Sequence, residues 1–393
     1  MATLDDVSVS IVDGPFGSSL KTSDYVDTGV PVLQGKNITG DSFVWKEVRY
    51  ISDRKAQELK RSSVIPGDHL MIKIGSIGYS AIIDHLDGNE FAIIPANLAR
   101  IRPDRSVIDD RYLHHWLKSE PTKRHFQSVA SSTAQPALSL SKIRDAALPV
   151  PPLDEQRRIA AILDKADALR QKRKRAIALL DSLTQSIFLE MFGEPVLNTM
   201  GWPMASLGEL EEFLTSGSRG WAKYYADNGR AFIRIQNLKA GILDVSDLAY
   251  VRAPDGAETR RTTVKKGDIL ISITADLGRV AVVPPELDGM ANINQHLALF
   301  RPRGIDPTYL SQFLASAGGQ RQFAAGDKGG VKAGLNFDDI RKICVLIPPE
   351  TEQLKFAAIV GKLSARTATM QAANSRTDTL FASFQSRAFS GQL

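Results

Sequence analysis

The sequence predicts two tandem copies of a mixed α/β (α+β) domain, separated by two long antiparallel coiled-coil helices. Three observations point there. The chain repeats itself internally, a double proline recurs at matching places, and each double proline opens a long stretch with helical patterning. At 393 residues the chain has room for two or three domains. The repeat sets the divisions: a first mixed domain at 1–150, a central helix at 151–193, a second mixed domain at 194–348 and a C-terminal helix at 349–393.

A shift of 200 carries Tyr25, Gly29, Asn37, Gly67, Asp68, Gly78 and Ala81 onto Tyr225, Gly229, Asn237, Gly267, Asp268, Gly278 and Ala281. At a shift of 199, Arg102-Pro103 meets Arg301-Pro302. At 197, Tyr112-Leu113 meets Tyr309-Leu310, Pro151-Pro152 meets Pro348-Pro349, and Glu155-Gln156 meets Glu352-Gln353. Small deletions with register kept between them are the mark of a diverged duplication.

Within each copy, short β-type runs come first. Leu70–Ile74 follows Pro-Gly-Asp, and Ile269–Ile273 follows Lys-Gly-Asp. Helical patches come later, at Arg111–Leu117 and Thr308–Leu314. Proline is tolerated at a helix start and breaks an interior, so the double prolines mark boundaries, with Asp154 and Thr351 as expected N-caps.

From Asp154 to Met191 there is neither Gly nor Pro, and apolar residues recur three and four apart. Such a helix is about 57 Å long, and Gly193 and Pro195 end it. Its expected spacer and interface positions are Ile159, Ile162, Leu163, Leu169, Ile177 and Leu180; in the second helix they are Phe356, Ile359, Leu363 and Leu380. A solitary stripe of this length needs a partner, and the second helix matches it in length. Antiparallel pairing would bring Leu393 near Met1.

Composition bounds the chemistry. The net charge is +5; the first mixed domain carries 18 basic and 18 acidic residues, and residues 194–349 carry 18 and 17. Bulk charge alone announces no nucleic-acid binder. The one cysteine, Cys344, excludes an internal disulfide and is expected to be a buried, inert thiol. The six histidines show no metal-binding spacing, and His114-His115 read as ordinary polar contacts. There is no phosphate loop, dinucleotide fingerprint or nucleophile elbow. No Pro-Asp pair has the following acidic-x-Lys of a nuclease, and no Pro-Pro pair has the flanks of an amino-methyltransferase. No catalytic or metal site is expected. No apolar stretch reaches the roughly 20 residues of a membrane span, and Asp5 and Asp6 stand where a signal peptide carries Lys or Arg, so a soluble cytoplasmic protein is expected.

The chain resembles the specificity (S) subunit of type I restriction–modification enzymes over essentially its whole length. The likeness is carried by Gly14-Pro15-Phe16-Gly17-Ser18-Ser19-Leu20 with Tyr25, Gly29-Val30-Pro31-Val32 and Asn37. Further along it rests on Pro151-Pro152-Leu153-Asp154-Glu155-Gln156, Phe192-Gly193, and the ending Ala388-Phe389-Ser390-Gly391-Gln392-Leu393. The second copy departs from it, with Gly217-Ser218-Arg219-Gly220-Trp221 in place of the Gly-Pro-Phe-Gly segment. The resemblance implies two target-recognition domains, each reading half of a bipartite, asymmetric site in double-stranded DNA. It implies helices that set the spacing and dock two methyltransferase (M) subunits, with restriction (R) subunits joining that core. S-adenosylmethionine, ATP and Mg then belong to the partner subunits, and this chain binds no cofactor.

Two different half-sites need different readers, so polar and basic residues at non-matching positions are the candidates for DNA contact. In the first copy these are Lys21, Lys36, Lys73, Tyr79, Ser132, Thr133 and Gln135. In the second they are Arg219, Lys223, Arg234, Gln236, Arg279, Lys328 and Lys332. The basic run Arg170–Arg175 could meet DNA, an acidic partner or only solvent. Two other readings fit the same residues: a specificity subunit of an orphan or type II methyltransferase assembly, and a scaffold whose repeated domains bind protein rather than DNA.

Overall fold

The structure is a computed structural model that describes residues 1–15, 19–132, 135–326 and 334–389. It divides into two units, one made of Met1–Lys174 with the chain from Ala372 onward, the other of Arg175–Gln371. Each unit holds one mixed domain and half of each long helix.

In the first unit, an antiparallel sheet runs in the order Ser80–Ile82, His69–Ile72, Leu98–Pro103, Ser8–Asp13. A second sheet of five short strands includes Val30–Val32 parallel to Ala92–Ile93. Ala2–Thr3 pairs with Ala147–Leu148, tying the start of the domain to its end. The helix Asp110–Leu117 begins where the Asp109 carboxylate accepts the N–H groups of Arg111 and Tyr112. It buries Tyr112, Leu113, Trp116 and Leu117 against the first sheet.

The second unit repeats the plan. Glu211–Ser216, Leu297–Pro302, Ile269–Ser272 and Val280–Val282 form the antiparallel part of a six-stranded sheet, and Gly241–Leu243 adds to it in parallel. In the first unit the corresponding hairpin, Ile38–Thr39 with Ser42–Phe43, pairs only with itself among the described residues. The helix Pro307–Ala315 starts on Asp306 and buries Tyr309, Leu310, Phe313 and Leu314.

The residues that match between the copies are the ones that hold the fold. Buried Asn37 donates from Nδ2 to the carbonyls of Val44 and Lys46, and Asn237 does the same to Asp244 and Asp247. Tyr112 Oη donates to the carbonyl of Pro149, and Tyr309 Oη to that of Leu346. Buried Gln156 accepts from the Asp109 N–H and donates to the carbonyls of Val107 and Pro151; Gln353 accepts from the Asp306 N–H and donates to the carbonyl of Pro348.

The entry segments agree more closely than their sequences. A side chain on Gly14 would run into the backbone of Ile94 and Pro95, and one on Gly217 into that of Ile293 and Asn294. Both glycines are there because the backbone passes a strand end at contact distance. Gly14 and Gly217 are therefore equivalent, although the residues after them differ.

The two long helices span Leu153–Phe192 and Glu350–Phe389. Asp154 and Thr351 lie inside the first turn, not at the caps: the N–H groups of Glu155 and Glu352 already bond back to Pro152 and Pro349. Gly193, at φ +75°, closes the first helix with its N–H on the Leu189 carbonyl.

The helix ends are pinned into the domain cores. In the first unit, Ile159 and Leu163 share a core with Phe381 and Ala388, and Phe389 packs edge-on to Tyr112. In the second, Phe188 and Phe192 meet Phe356 and Tyr309, with Phe192 and Tyr309 ring centres 4.7 Å apart. Leu393 lies outside the described residues.

The expected apolar stripe needs correction at three positions. Ile159, Leu163 and Phe356 are buried, and Ile177, Leu180, Ile359 and Leu363 are half-buried. Ile162, Leu169 and Leu380 are 39%, 54% and 58% exposed. The inward face runs through 159, 163, 166, 170, 173, 177 and 180, spaced alternately four and three; 162 and 169 flank it. Two inward positions are therefore arginines. Arg170 ion-pairs with Asp378 and lies over the Phe381 ring, and Arg173 donates to Thr377 Oγ1. The basic run is split: Arg170 and Arg173 turn to the partner helix, whereas Lys172, Lys174 and Arg175 face solvent.

Candidate nucleic-acid interface

The short 3₁₀ turns Gly35–Asn37 and Ile235–Asn237 present the first candidates, each fixed by its buried asparagine. Lys36 is exposed, with Nζ 3.1 Å from Glu47 Oε2. At the matching place Gln236 donates to Asp247 Oδ2 at 3.2 Å, and Arg234 donates to the Asp247 carbonyl at 3.3 Å. One frame thus shows a lysine–glutamate pair in the first copy and an arginine–glutamine pair around an aspartate in the second. Both are groups that can address base edges.

The hairpin loops present the next. Tyr79 is half-buried beneath Lys123, whose Nζ is 4.5 Å from the ring centre and which ion-pairs with Asp41. At the matching place Arg279 is exposed and pairs with Asp276. Lys21, Ser132, Gln135, Arg219 and Lys223 are also exposed; the Arg219 N–H rests on Glu258, and Lys223 lies over the Tyr224 ring. Thr133, Lys328 and Lys332 lie outside the described residues.

Lys73 does not belong with these. Its side chain is buried and its ammonium is 2.8 Å from Asp13 Oδ2, so it ties two strands of the sheet together. An ammonium drawn out of such a pair would leave a buried carboxylate uncompensated. Its place in a run that otherwise reads Leu-Met-Ile-Ile gave the warning: a charge among inward residues is usually paired.

His114 and His115 are not ordinary polar contacts. Both are buried, and their rings are 5.8 Å apart; His69, wholly buried, lies 6.3 Å from His114. His115 Nε2 bonds to Asp164 Oδ1 at 2.8 Å, while both ring nitrogens of His69 and Nδ1 of His114 and of His115 have no partner among the described residues. Burial pushes His69 down to about 3 and His115 to about 4, and lowers His114 further. All three are therefore neutral at pH 7. Cys344 also differs from expectation: it is half-exposed, on a two-stranded edge with Met204–Ser206.

Two ion pairs and a hydrogen bond fasten the central helix to the first domain: Arg111 pairs with Asp164 and Lys118 with Asp167, and the neutral His115 donates from Nε2 to Asp164. In the second unit Gln185 meets Gln312 at 3.1 Å, beside the aromatic cluster. Among the described residues, no group of three or more His, Cys, Asp or Glu is placed to hold a metal. No described helix is long and apolar enough to cross a membrane.

Two copies of one frame, with exchanged side chains at exposed loops, is the organisation of a paired reader. A family model described as "Type I restriction modification DNA specificity domain" matches twice, over residues 14–179 and 202–376. The chain belongs to the type I restriction–modification DNA specificity family. Its relatives in that family include the type I restriction enzyme EcoKI specificity subunit of Escherichia coli K12, 24% identical over 93% of this chain and 83% of the relative. Another is the MjaIX specificity subunit of Methanocaldococcus jannaschii, 20% identical over 90% and 84%. The crystal structure of the type I restriction–modification S subunit from M. genitalium has the same fold, with a TM-score of 0.58 at 15% identity, covering 98% of this chain and 95% of that one. As a family member, this chain is a DNA sequence-recognition subunit with two specificity domains.

Proposed function

We propose that each mixed domain reads one half of a bipartite, asymmetric site in double-stranded DNA, and that the paired helices set the gap and dock two methyltransferase subunits. The observation that carries this is the contrast within the repeat. The residues that build each domain are shared, such as Asn37 and Asn237 or Gln156 and Gln353, whereas side chains carried on that frame differ, exposed Lys36 against exposed Gln236 and half-buried Tyr79 against exposed Arg279. A duplicated scaffold bearing two sets of readers recognises two different words.

In this reading the chain contributes recognition and no chemistry, and works in the cytoplasm. S-adenosylmethionine is held by the methyltransferase subunits; ATP and Mg belong to restriction subunits that join the core. The outward leucines of the helices, among them Leu169 and Leu380, are offered to partners.

Exchange of residues 1–150 for the first recognition domain of another family member tests the proposal. Methylome sequencing of the exchange strain should show one half of the methylated motif changed and the other intact. A motif whose halves change together, or a methylome indifferent to this chain in an active complex, overturns it.

A further inference from the structure

We propose that the paired cations Lys60-Arg61 and Arg260-Arg261 are seats for the DNA phosphate backbone, one in each domain; this rests on the DNA reading above. The two half-sites differ in their bases, but their backbones are chemically the same. Residues that read bases should therefore differ between the copies, and residues that grip phosphates should match. The remaining candidate readers do differ: Lys21 falls on Trp221, Lys36 on Gln236 and Tyr79 on Arg279. The register of the repeat has one place where two adjacent cations match, and it is this one.

Two of the other matched cation pairs are committed within the protein, whereas Arg124 with Arg321 and Lys165 with Lys362 are single exposed cations. Arg102 and Arg301 hold Asp68 and Asp268, and Arg144 and Arg341 reach Asp5 and Glu211. Lys60, Arg61, Arg260 and Arg261 are exposed, and none forms an ion pair among the described residues.

In the second unit the surroundings make a seat. Arg260, Arg261, Lys265 and Arg301 line an open depression of about 460 Å³ with Phe213, Thr263 and Gly289, and Asp288 is its one carboxylate. A neighbouring depression adds Lys266, together with Glu212 and Asp268. The frame recurs in part in the first unit, where Ile65 and Pro66 stand in place of Lys265 and Lys266. Arg301 lies opposite Phe213 on neighbouring strands, and Arg102 lies opposite Ser10 in the same way. Arg100 donates to the Ser63 carbonyl and to Ser10 Oγ beneath that surface.

Cations near a helix C-terminus also suit its dipole. That accounts for Arg260 and Arg261 but not for Lys265 and Lys266, which come after the helix ends at Thr262. Arg301 is held by Asp268, but Arg260, Arg261 and Lys265 have only Asp288 among them in this depression, and like charges so gathered repel one another until an anion enters. A phosphodiester supplies that charge wherever the duplex lies, whatever its sequence.

The test uses the complex of the full chain with its methyltransferase subunits, bound to a duplex carrying its methylated motif and to a scrambled duplex. The variants are K60Q/R61Q and R260Q/K265Q. Arg261 is left in place because it also donates to Thr215 and the Ser216 carbonyl. Each double variant should weaken both duplexes by the same factor and reduce the slope of log affinity against log salt by about 0.9 per lost contact. For two contacts, its deficit should shrink about twelvefold between 50 and 200 mM salt. The methylated motif should not change.

Affinity and slope equal to wild type overturn the seat, as does a changed motif, which would mark base readers. Loss of methyltransferase subunits from the purified variant overturns it in favour of an acidic protein partner. A wild-type complex that does not prefer its own duplex overturns the DNA reading itself, a result distinct from variants that match a discriminating wild type.

Discussion

Arg102 holds Asp68 through two hydrogen bonds of 2.7 Å, from Nε to Oδ1 and from Nη2 to Oδ2. Arg301 holds Asp268 in the same fork, at 2.7 and 2.8 Å. Each carboxylate is almost wholly buried and also accepts a backbone N–H, from Ile65 or Lys265. Asp68→Asn should therefore cost the first domain about 2–3 kcal/mol, because it leaves the guanidinium without its counter-charge. Urea unfolding with peptide-resolved hydrogen exchange measures this. The loss should stay within the first unit, and Asp268→Asn should confine its loss to the second.

The histidine cluster makes the first domain acid-sensitive. In an unfolded chain histidine takes up a proton near pH 6.5, but His69, His114 and His115 are held neutral well below that. Stability is full above pH 6.5 and falls as the pH drops toward 4, by up to about 1.4 kcal/mol per unit for each histidine. The matching second-copy residues, Ile269, Ser311 and Gln312, do not titrate. Unfolding at pH 7.5 and 5.5 should thus show a larger loss in the first unit, and His69→Ile should reduce it. Equal losses in both units would contradict this account.

The exposed leucines separate assembly from folding. Leu169→Asp with Leu380→Asp changes two residues that are more than half exposed, so the isolated chain should unfold within about 0.5 kcal/mol of wild type. Co-purification of methyltransferase subunits should fall sharply. A normal complex from this variant would show that these positions face no partner.

Four residues inserted after Lys174 lengthen the central helix by about 6 Å. The insertion comes after the polar seam of Arg170 with Asp378 and Arg173 with Thr377, so it leaves those contacts intact while moving the chain beyond them. The methylated motif should acquire a different gap, or methylation should cease, with the bases of each half-site unchanged. A changed half-site at a constant gap would refute the spacer role.

The sequence by itself determined the duplication, the order of the mixed domains and helices, and the residues that hold each copy together. Asn37, Asp68, Tyr112 and Gln156 recur because buried polar groups must find partners, and the two copies meet that demand with the same atoms. Tertiary structure alone decided which polar residues are available. Lys73 reads like Lys36 in the sequence, yet it is consumed by Asp13, sixty residues away, while Lys36 faces water. Arg170 reads as part of a solvated run, yet it turns inward to Asp378, more than two hundred residues away. Helical spacing shows which residues share a face; whether that face meets water, a carboxylate or an apolar core depends on chain segments distant in sequence, and only folding brings those together.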